Sequence, residues 1–138
     1  MAKDIYHNIV KEALIKDGWK ITHDPFTILP KAEGGLETDL GAEKLIAATK
    51  GLKKIAVEVK NFVRPSILHD FHGAIGQYLF YVPAFEMKND DREIYLDIPD
   101  DVYLKLTKKE VVNRAIEKYD IKIVTFDATT STIQSWKV

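Results

Sequence analysis

Apolar and polar positions follow two different repeats along the chain, and each repeat predicts a different kind of element. Over residues 66–82 apolar side chains recur every three or four positions, which is the spacing of one helix face. Over residues 54–60, "KIAVEVK", side chains alternate between two faces, as they do in a strand. Read along the whole chain, the pattern predicts helices over 4–17, 66–82, 100–106 and 107–120, a short strand and turn within 19–29, a strand near Thr38–Asp39, a β-hairpin over 45–62, and strands within 92–99, 121–127 and 132–138.

Capping and turn residues set the expected ends of these elements. Gly18 is expected to end the first helix, and Pro83 is expected to stop the long helix. Thr107 and Glu110 have the spacing of a capping box, so the last helix is expected to begin at Thr107. The hairpin turn is expected near Lys50–Gly51.

The order of elements is a helix, short β pieces, a β-hairpin, a helix, a strand, helical segments and two closing strands. This order predicts a mixed α/β fold with a central sheet of about five strands and helices packed on it. The length of 138 residues suits one domain, 1–138, with a sizeable core.

Composition narrows the class of protein. With 46% hydrophobic and 30% charged residues, the chain has the profile of a globular protein rather than a disordered one. Its formal net charge of -1 means that nucleic-acid binding would need a local basic patch or a partner. The absence of cysteine excludes disulfides, thiolate zinc sites and cysteine nucleophiles. No signal-peptide core or long apolar run is visible, so we expect a cytoplasmic protein with no membrane span.

The segment "VEVKNF", residues 57–62, places an acid and a base on one face of a strand. Glu58 and Lys60 share that face because strand side chains alternate. If the turn lies between residues 50 and 51, Glu58 is opposite Glu43, and Asp39 and Gly41 share its face. Gly41 is a candidate bulge that would shift this register.

One or two carboxylates from the first arm and Glu58 from the second would suit a hard divalent cation such as Mg²⁺. Such a metal would polarise a phosphodiester, and Lys60 would orient water or offset phosphate charge. Asp39 and Glu43 are alternative ligands beside Glu58. The plainer interpretation is an exposed Glu58–Lys60 pair that contributes less than ~1 kcal/mol.

Other side chains extend this hypothesis. Gln77 and Tyr81, at i and i+4 on the following helix, are expected beside its apolar stripe and could reach the same cleft. Glu12, near the apolar edge of the first helix, could add an acid, although a solvated glutamate is the commoner case. His69 and His72 could share a metal, but no third ligand has suitable spacing.

Asp39, Glu58-Val59-Lys60 and Gln77-x-x-x-Tyr81 resemble the motifs of the PD-(D/E)xK nuclease superfamily, especially its RecB-like branch. The resemblance implies a restriction-endonuclease-like fold, with Asp39, Glu58 and the Val59 carbonyl as ligands of Mg²⁺ or Mn²⁺. It implies Lys60 as the catalytic lysine, Gln77 and Tyr81 as cleft residues, and Glu12 as a first-helix acid. Thr38 stands where the motif has its proline.

A second resemblance covers nearly the whole chain. The segments "ETDLGAEKLIAATKG", "KIAVEVKNF", "GQYLFY" and "IKIVTFD" resemble the XisH family of excision controlling factors for the fdxN DNA element. It implies a role in DNA-element excision beside a small XisI-like partner protein.

Three functions remain open on the sequence: a metal-dependent deoxyribonuclease-like factor, a non-catalytic nuclease-fold module that docks XisI or a recombinase, and a chain that only stabilises its neighbour. The oligomeric state is also open and includes a homo-oligomer.

Overall fold

The computed structural model describes residues 2–46, 51–62 and 65–137, with side chains from residue 5 onward. Four helices are present in these ranges: α1 (Ala2–Lys16), α2 (Ile67–Met87), α3 (Asp100–Leu106) and α4 (Glu110–Lys118). The strands are β1 (Lys20–His23), β2 (Phe26–Leu29), β3 (Leu36–Thr38), β4 (Leu40–Ile46), β5 (Gly51–Val59), β6 (Glu93–Pro99), β7 (Ile123–Asp127) and β8 (Thr132–Lys137). The expected hairpin turn includes Lys50, which lies outside the described residues.

The central sheet is mixed and has the strand order β1-β4-β5-β6-β7-β8. β5, β6 and β7 run parallel to one another, and the outer pairings on both sides are antiparallel. The predicted α/β class is confirmed, but the sheet has six strands rather than about five. The extra strand arises because the segment 19–29 divides at Asp24–Pro25. β1 joins the central sheet, and β2 pairs with β3 in a separate two-stranded sheet.

Each face of the central sheet is covered by its own core. Val10 and Leu14 of α1 pack with Ile55 and Val57, which point to one face of β5. Phe71, Tyr78 and other side chains of α2 pack on the opposite face, where the small β2–β3 sheet also contributes. The alternation of β5 therefore places Ile55, Val57 and Val59 under α1 and leaves Ala56 and Glu58 on the α2 side, where Lys60 follows directly after the strand.

α2 continues past Pro83 to Met87, so the expected stop at Pro83 is wrong. Proline removes the bond that residue 83 would donate to the carbonyl of Leu79. The helix tolerates this loss because Ala84 and Phe85, which follow the proline, are buried in the core and hold its last turn in place. The start agrees more closely with expectation, because the Ser66 hydroxyl caps α2 by accepting a bond from the His69 N–H.

The expected start of the last helix at Thr107 is also wrong, since α4 begins at Glu110. Thr107 instead ends α3, where its hydroxyl donates to the carbonyl of Tyr103 at 2.9 Å. The capping-box spacing is present, but the threonine hydroxyl donates to a carbonyl of the preceding helix and does not cap α4.

Within the described part of the chain, no helix has the length and apolar character needed to cross a membrane.

Candidate functional site

The register of the β4–β5 hairpin determines which acidic side chain lies beside Glu58. The ladder is regular from Leu40 onward and places Glu43 opposite Lys54, so the residue next to Glu58 is Asp39. The expectation that Glu43 faces Glu58 is wrong, because the pairing is displaced by four residues. A displacement by an even number keeps every side chain on its predicted face, and Asp39 and Glu58 therefore share one face as expected.

Asp39 occupies a sharp bend between β3 and β4, and close packing nearby fixes that bend. A Cβ atom at Gly41 would lie 2.6 Å from the Phe26 ring, so only glycine lets β2 lie this close to β4. Gly41 does not shift the hairpin register, because the irregularity lies in β1 instead. The bend brings Asp39 Oδ2 to 2.8 Å from the main-chain nitrogen of Val59, which donates a hydrogen bond to it.

Glu58 is an almost buried carboxyl, with 8% of the residue exposed. Burial and, to a smaller extent, the adjacent Asp39 carboxylate raise its pKa, Lys60 opposes both effects, and the net result is a pKa of about 7. Ionising both carboxylates is therefore unfavourable without an added positive charge. A cation bound between them would supply that charge.

Lys60 connects the end of β5 to α2. Its ammonium group lies 3.3 Å from Glu58 Oε2 and donates a hydrogen bond to the side-chain oxygen of Gln77. Its main-chain N–H donates to the Asp97 carbonyl on β6 at 2.9 Å. Both ends of Lys60 are thus held, and its charge is fixed beside the carboxylate pair.

Tyr81 lies beneath this group rather than on the cleft wall. Its side chain is fully buried and its hydroxyl donates to the Glu37 carbonyl at 3.1 Å. Burial raises its pKa, and the nearby Glu58 carboxyl adds to the rise. Tyr81 was expected beside the apolar stripe of α2 but belongs to it, because the buried stripe runs through Phe71, Tyr78 and Phe85.

The predicted residues open onto a cleft of about 710 Å³ between the end of β5 and the first turns of α2. Asp39, Glu58, Val59, Lys60 and Gln77 all line it. His69 and His72 also line it, with their ring centroids 6.4 Å apart. The described residues contain no cluster of three or more histidine or acidic side chains arranged for a metal.

Glu12 does not reach the cleft. Its side chain is 59% exposed and lies 3.3 Å from Lys16 on the outside of α1. The side chain of α1 that approaches Asp39 is His7, one turn earlier, with Nδ1 at 3.7 Å from Asp39 Oδ1. His7 Nε2 contacts Asp24 Oδ1 at 2.6 Å. No local sequence signal predicts this contact, since His7, Asp24 and Asp39 are far apart in the chain.

The donor set is compatible with Mg²⁺ or Mn²⁺. These ions commonly use one or two carboxylates and keep several waters, so a protein site does not need three acidic side chains. Asp39 and Glu58 supply the carboxylates, and Val59 lines the cleft between them and Lys60. The buried Glu58 carboxyl beside the partly exposed Asp39 provides a physical reason for a cation to bind here.

The architecture defines an α/β protein in which the central strand of a mixed sheet ends in an acid–lysine pair. The family model described as XisH protein matches residues 1–134, so the chain belongs to the XisH family. The fold is also similar to two solved structures. An XisH family protein from Nostoc punctiforme PCC 73102 is 34% identical with a TM-score of 0.84, over 98% of this chain and 100% of that one.

The second structure is a fdxN element excision controlling factor protein from Anabaena variabilis. It is 35% identical with a TM-score of 0.83, over 96% of this chain and 98% of that one. A comparison with curated proteins found no match.

Proposed function

We propose that this XisH family chain acts in the excision of a DNA element and cleaves phosphodiester bonds with a bound Mg²⁺ or Mn²⁺. The observation that carries the proposal is the Asp39–Glu58 carboxylate pair with the Lys60 ammonium beside it in an open cleft. The substrate class is suggested by the Anabaena variabilis relative, which is described as a fdxN element excision controlling factor.

Each residue has a separate role in this proposal. Asp39, Glu58 and the Val59 carbonyl hold the metal, which when bound polarises the phosphodiester and lowers the pKa of a bound water. Lys60 offsets the negative charge that builds on the phosphate. Gln77 accepts a hydrogen bond from Lys60 and so keeps its ammonium group directed at the cleft. The restriction-endonuclease-like relationship is part of this proposal and is supported by the same residues.

A second candidate function is a docking module for an XisI-like protein or a recombinase. The observation that favours it is the exposed apolar surface of α2, where Phe80 is 72% and Met87 is 67% exposed. Exposed large apolar side chains on one helix are a common feature of protein interfaces. The net charge of -1 also gives this chain no overall basic excess with which to attract DNA by itself.

The deciding experiment combines metal binding with cleavage. Mn²⁺ is titrated by calorimetry into the wild type, Glu58→Ala and Glu43→Ala, and each protein is incubated with labelled linear, nicked and branched DNA, with and without the partner. Glu43 is a matched control, because it lies on the same face of the hairpin but opposite Lys54. We expect the wild type and Glu43→Ala to bind Mn²⁺ and cut, and Glu58→Ala to do neither. If the wild type neither binds Mn²⁺ nor cuts even with the partner, the docking function replaces the nuclease function.

A further inference from the structure

His7 stands between two carboxylates that come from different parts of the fold. On one side its Nε2 atom lies 2.6 Å from Asp24 Oδ1, at the turn between β1 and β2. On the other side its Nδ1 atom lies 3.7 Å from Asp39 Oδ1. The three side chains are between 17% and 29% exposed, so water screens these contacts only partly.

Asp24 is held by a second side chain of α1 besides His7. Asp24 Oδ2 accepts a bond from Lys11 Nζ at 2.7 Å, one turn of α1 after His7. Hydrogen bonds from Lys11 and His7 lower the pKa of Asp24, although burial acts against them. An ionised carboxylate only accepts hydrogen bonds, so Nε2 of His7 donates to it. That bond sets the orientation of the imidazole ring and turns Nδ1 toward Asp39, to which Nδ1 donates when it also carries a proton, as in the imidazolium.

Asp39 is consequently in contact at both of its oxygens. The Val59 N–H donates to Oδ2 at 2.8 Å, and the His7 ring faces Oδ1. Rotation of the carboxylate about its Cβ–Cγ bond would break one contact or the other. The orientation of a ligand carboxylate is commonly set by such outer contacts, and their loss typically costs about 10- to 100-fold in metal affinity.

We propose that His7, held by Asp24, is a positioning residue that fixes the Asp39 carboxylate for metal binding. The inference rests on the proposed function and assigns α1 a part in the site through His7 rather than through Glu12. It also gives Asp24 and Lys11 an indirect part, since they hold the ring and touch neither the metal nor the substrate.

The contact is tested first in the metal-free protein, where the result does not depend on the proposed function. Urea midpoints are measured for His7→Ala in the wild-type background and in the Asp39→Ala background. We expect the midpoint shift caused by His7→Ala to be smaller when Asp39 is absent, because the contact is then already lost. Asn8→Ala, at the exposed neighbouring position of α1, should cause the same shift in both backgrounds. Equal shifts for His7→Ala in the two backgrounds would overturn the proposal.

The consequence for metal binding is tested by titrating Mn²⁺ calorimetrically at one pH. We expect His7→Ala to bind about 10- to 100-fold more weakly than the wild type, and Asn8→Ala to bind equally well. His7→Asn places an amide nitrogen where Nδ1 lies, so it should recover much of the affinity. Wild-type affinity in His7→Ala would overturn the positioning role. An absence of Mn²⁺ binding in the wild type would instead overturn the proposed function, and the metal-free measurement would still decide whether His7 holds Asp39.

Discussion

Replacing Glu58 by glutamine should stabilise the protein at neutral and higher pH, whereas most substitutions destabilise a protein. Glutamine has nearly the shape of protonated glutamate and cannot ionise. In the folded protein burial and Asp39 raise the pKa of Glu58 from an ordinary value of 4.5 to about 7. Between these two pH values the folded state retains a proton that the unfolded state has lost. The wild type therefore becomes less stable as pH rises through this window.

The size of the effect follows from the two pKa values. The interval from 4.5 to about 7 corresponds to roughly 3 kcal/mol of unfolding free energy once Glu58 is fully ionised in both states. Glu58→Gln does not have this penalty. We expect the variant and the wild type to be similarly stable near pH 4, and the variant to be more stable by up to roughly 3 kcal/mol near pH 8.

The assay is urea unfolding of both proteins at several values between pH 4 and pH 8, with and without Mn²⁺. Asp97 also has a raised pKa, but it is present in both proteins, so their difference reports Glu58. Mn²⁺ at 100 times its dissociation constant should stabilise the wild type by about 2.7 kcal/mol and leave Glu58→Gln unchanged. Parallel pH curves for the two proteins would refute the assigned environment of Glu58. Equal stabilisation by Mn²⁺ would refute its role as a ligand.

Three other substitutions test separate parts of the structure. Burial raises the pKa of Asp97 well above its ordinary value, and neither of its side-chain oxygens has a hydrogen-bond partner. Asp97→Asn should therefore gain stability relative to the wild type as pH rises, measured by urea unfolding from pH 5 to pH 9. A constant difference in stability across that range would contradict the raised pKa of Asp97. Tyr81→Phe removes the bond to the Glu37 carbonyl and should lower the unfolding free energy by about 1 kcal/mol, so an unchanged value would mean that the bond contributes nothing. Gln77→Ala removes the hydrogen bond to the Lys60 ammonium and should lower kcat by up to about 100-fold while Mn²⁺ affinity is retained. A parallel loss of Mn²⁺ affinity would assign Gln77 to metal binding instead.

Much of the fold could be predicted because the relevant signals are local. The alternation over 54–60 correctly separates the face of Val57 from the face of Glu58, since side-chain direction in a strand depends only on the backbone repeat. The failures at Pro83 and Thr107 also have a common reason. Each residue carries a strong local signal for a helix end, but core packing in one case and a competing helix in the other decided its role.

The sequence by itself determined the order of the main helices and strands, the faces of the hairpin strands and the grouping of Glu58, Lys60 and Gln77. These follow from periodicity and from the spacing of motifs along one or two consecutive elements. Only the tertiary structure decided that Asp39 rather than Glu43 lies beside Glu58, since hairpin register depends on cross-strand pairing and packing. It also decided that α1 presents His7 to the site and keeps Glu12 in solvent, because the docking of a helix on a sheet depends on contacts between residues distant in the chain.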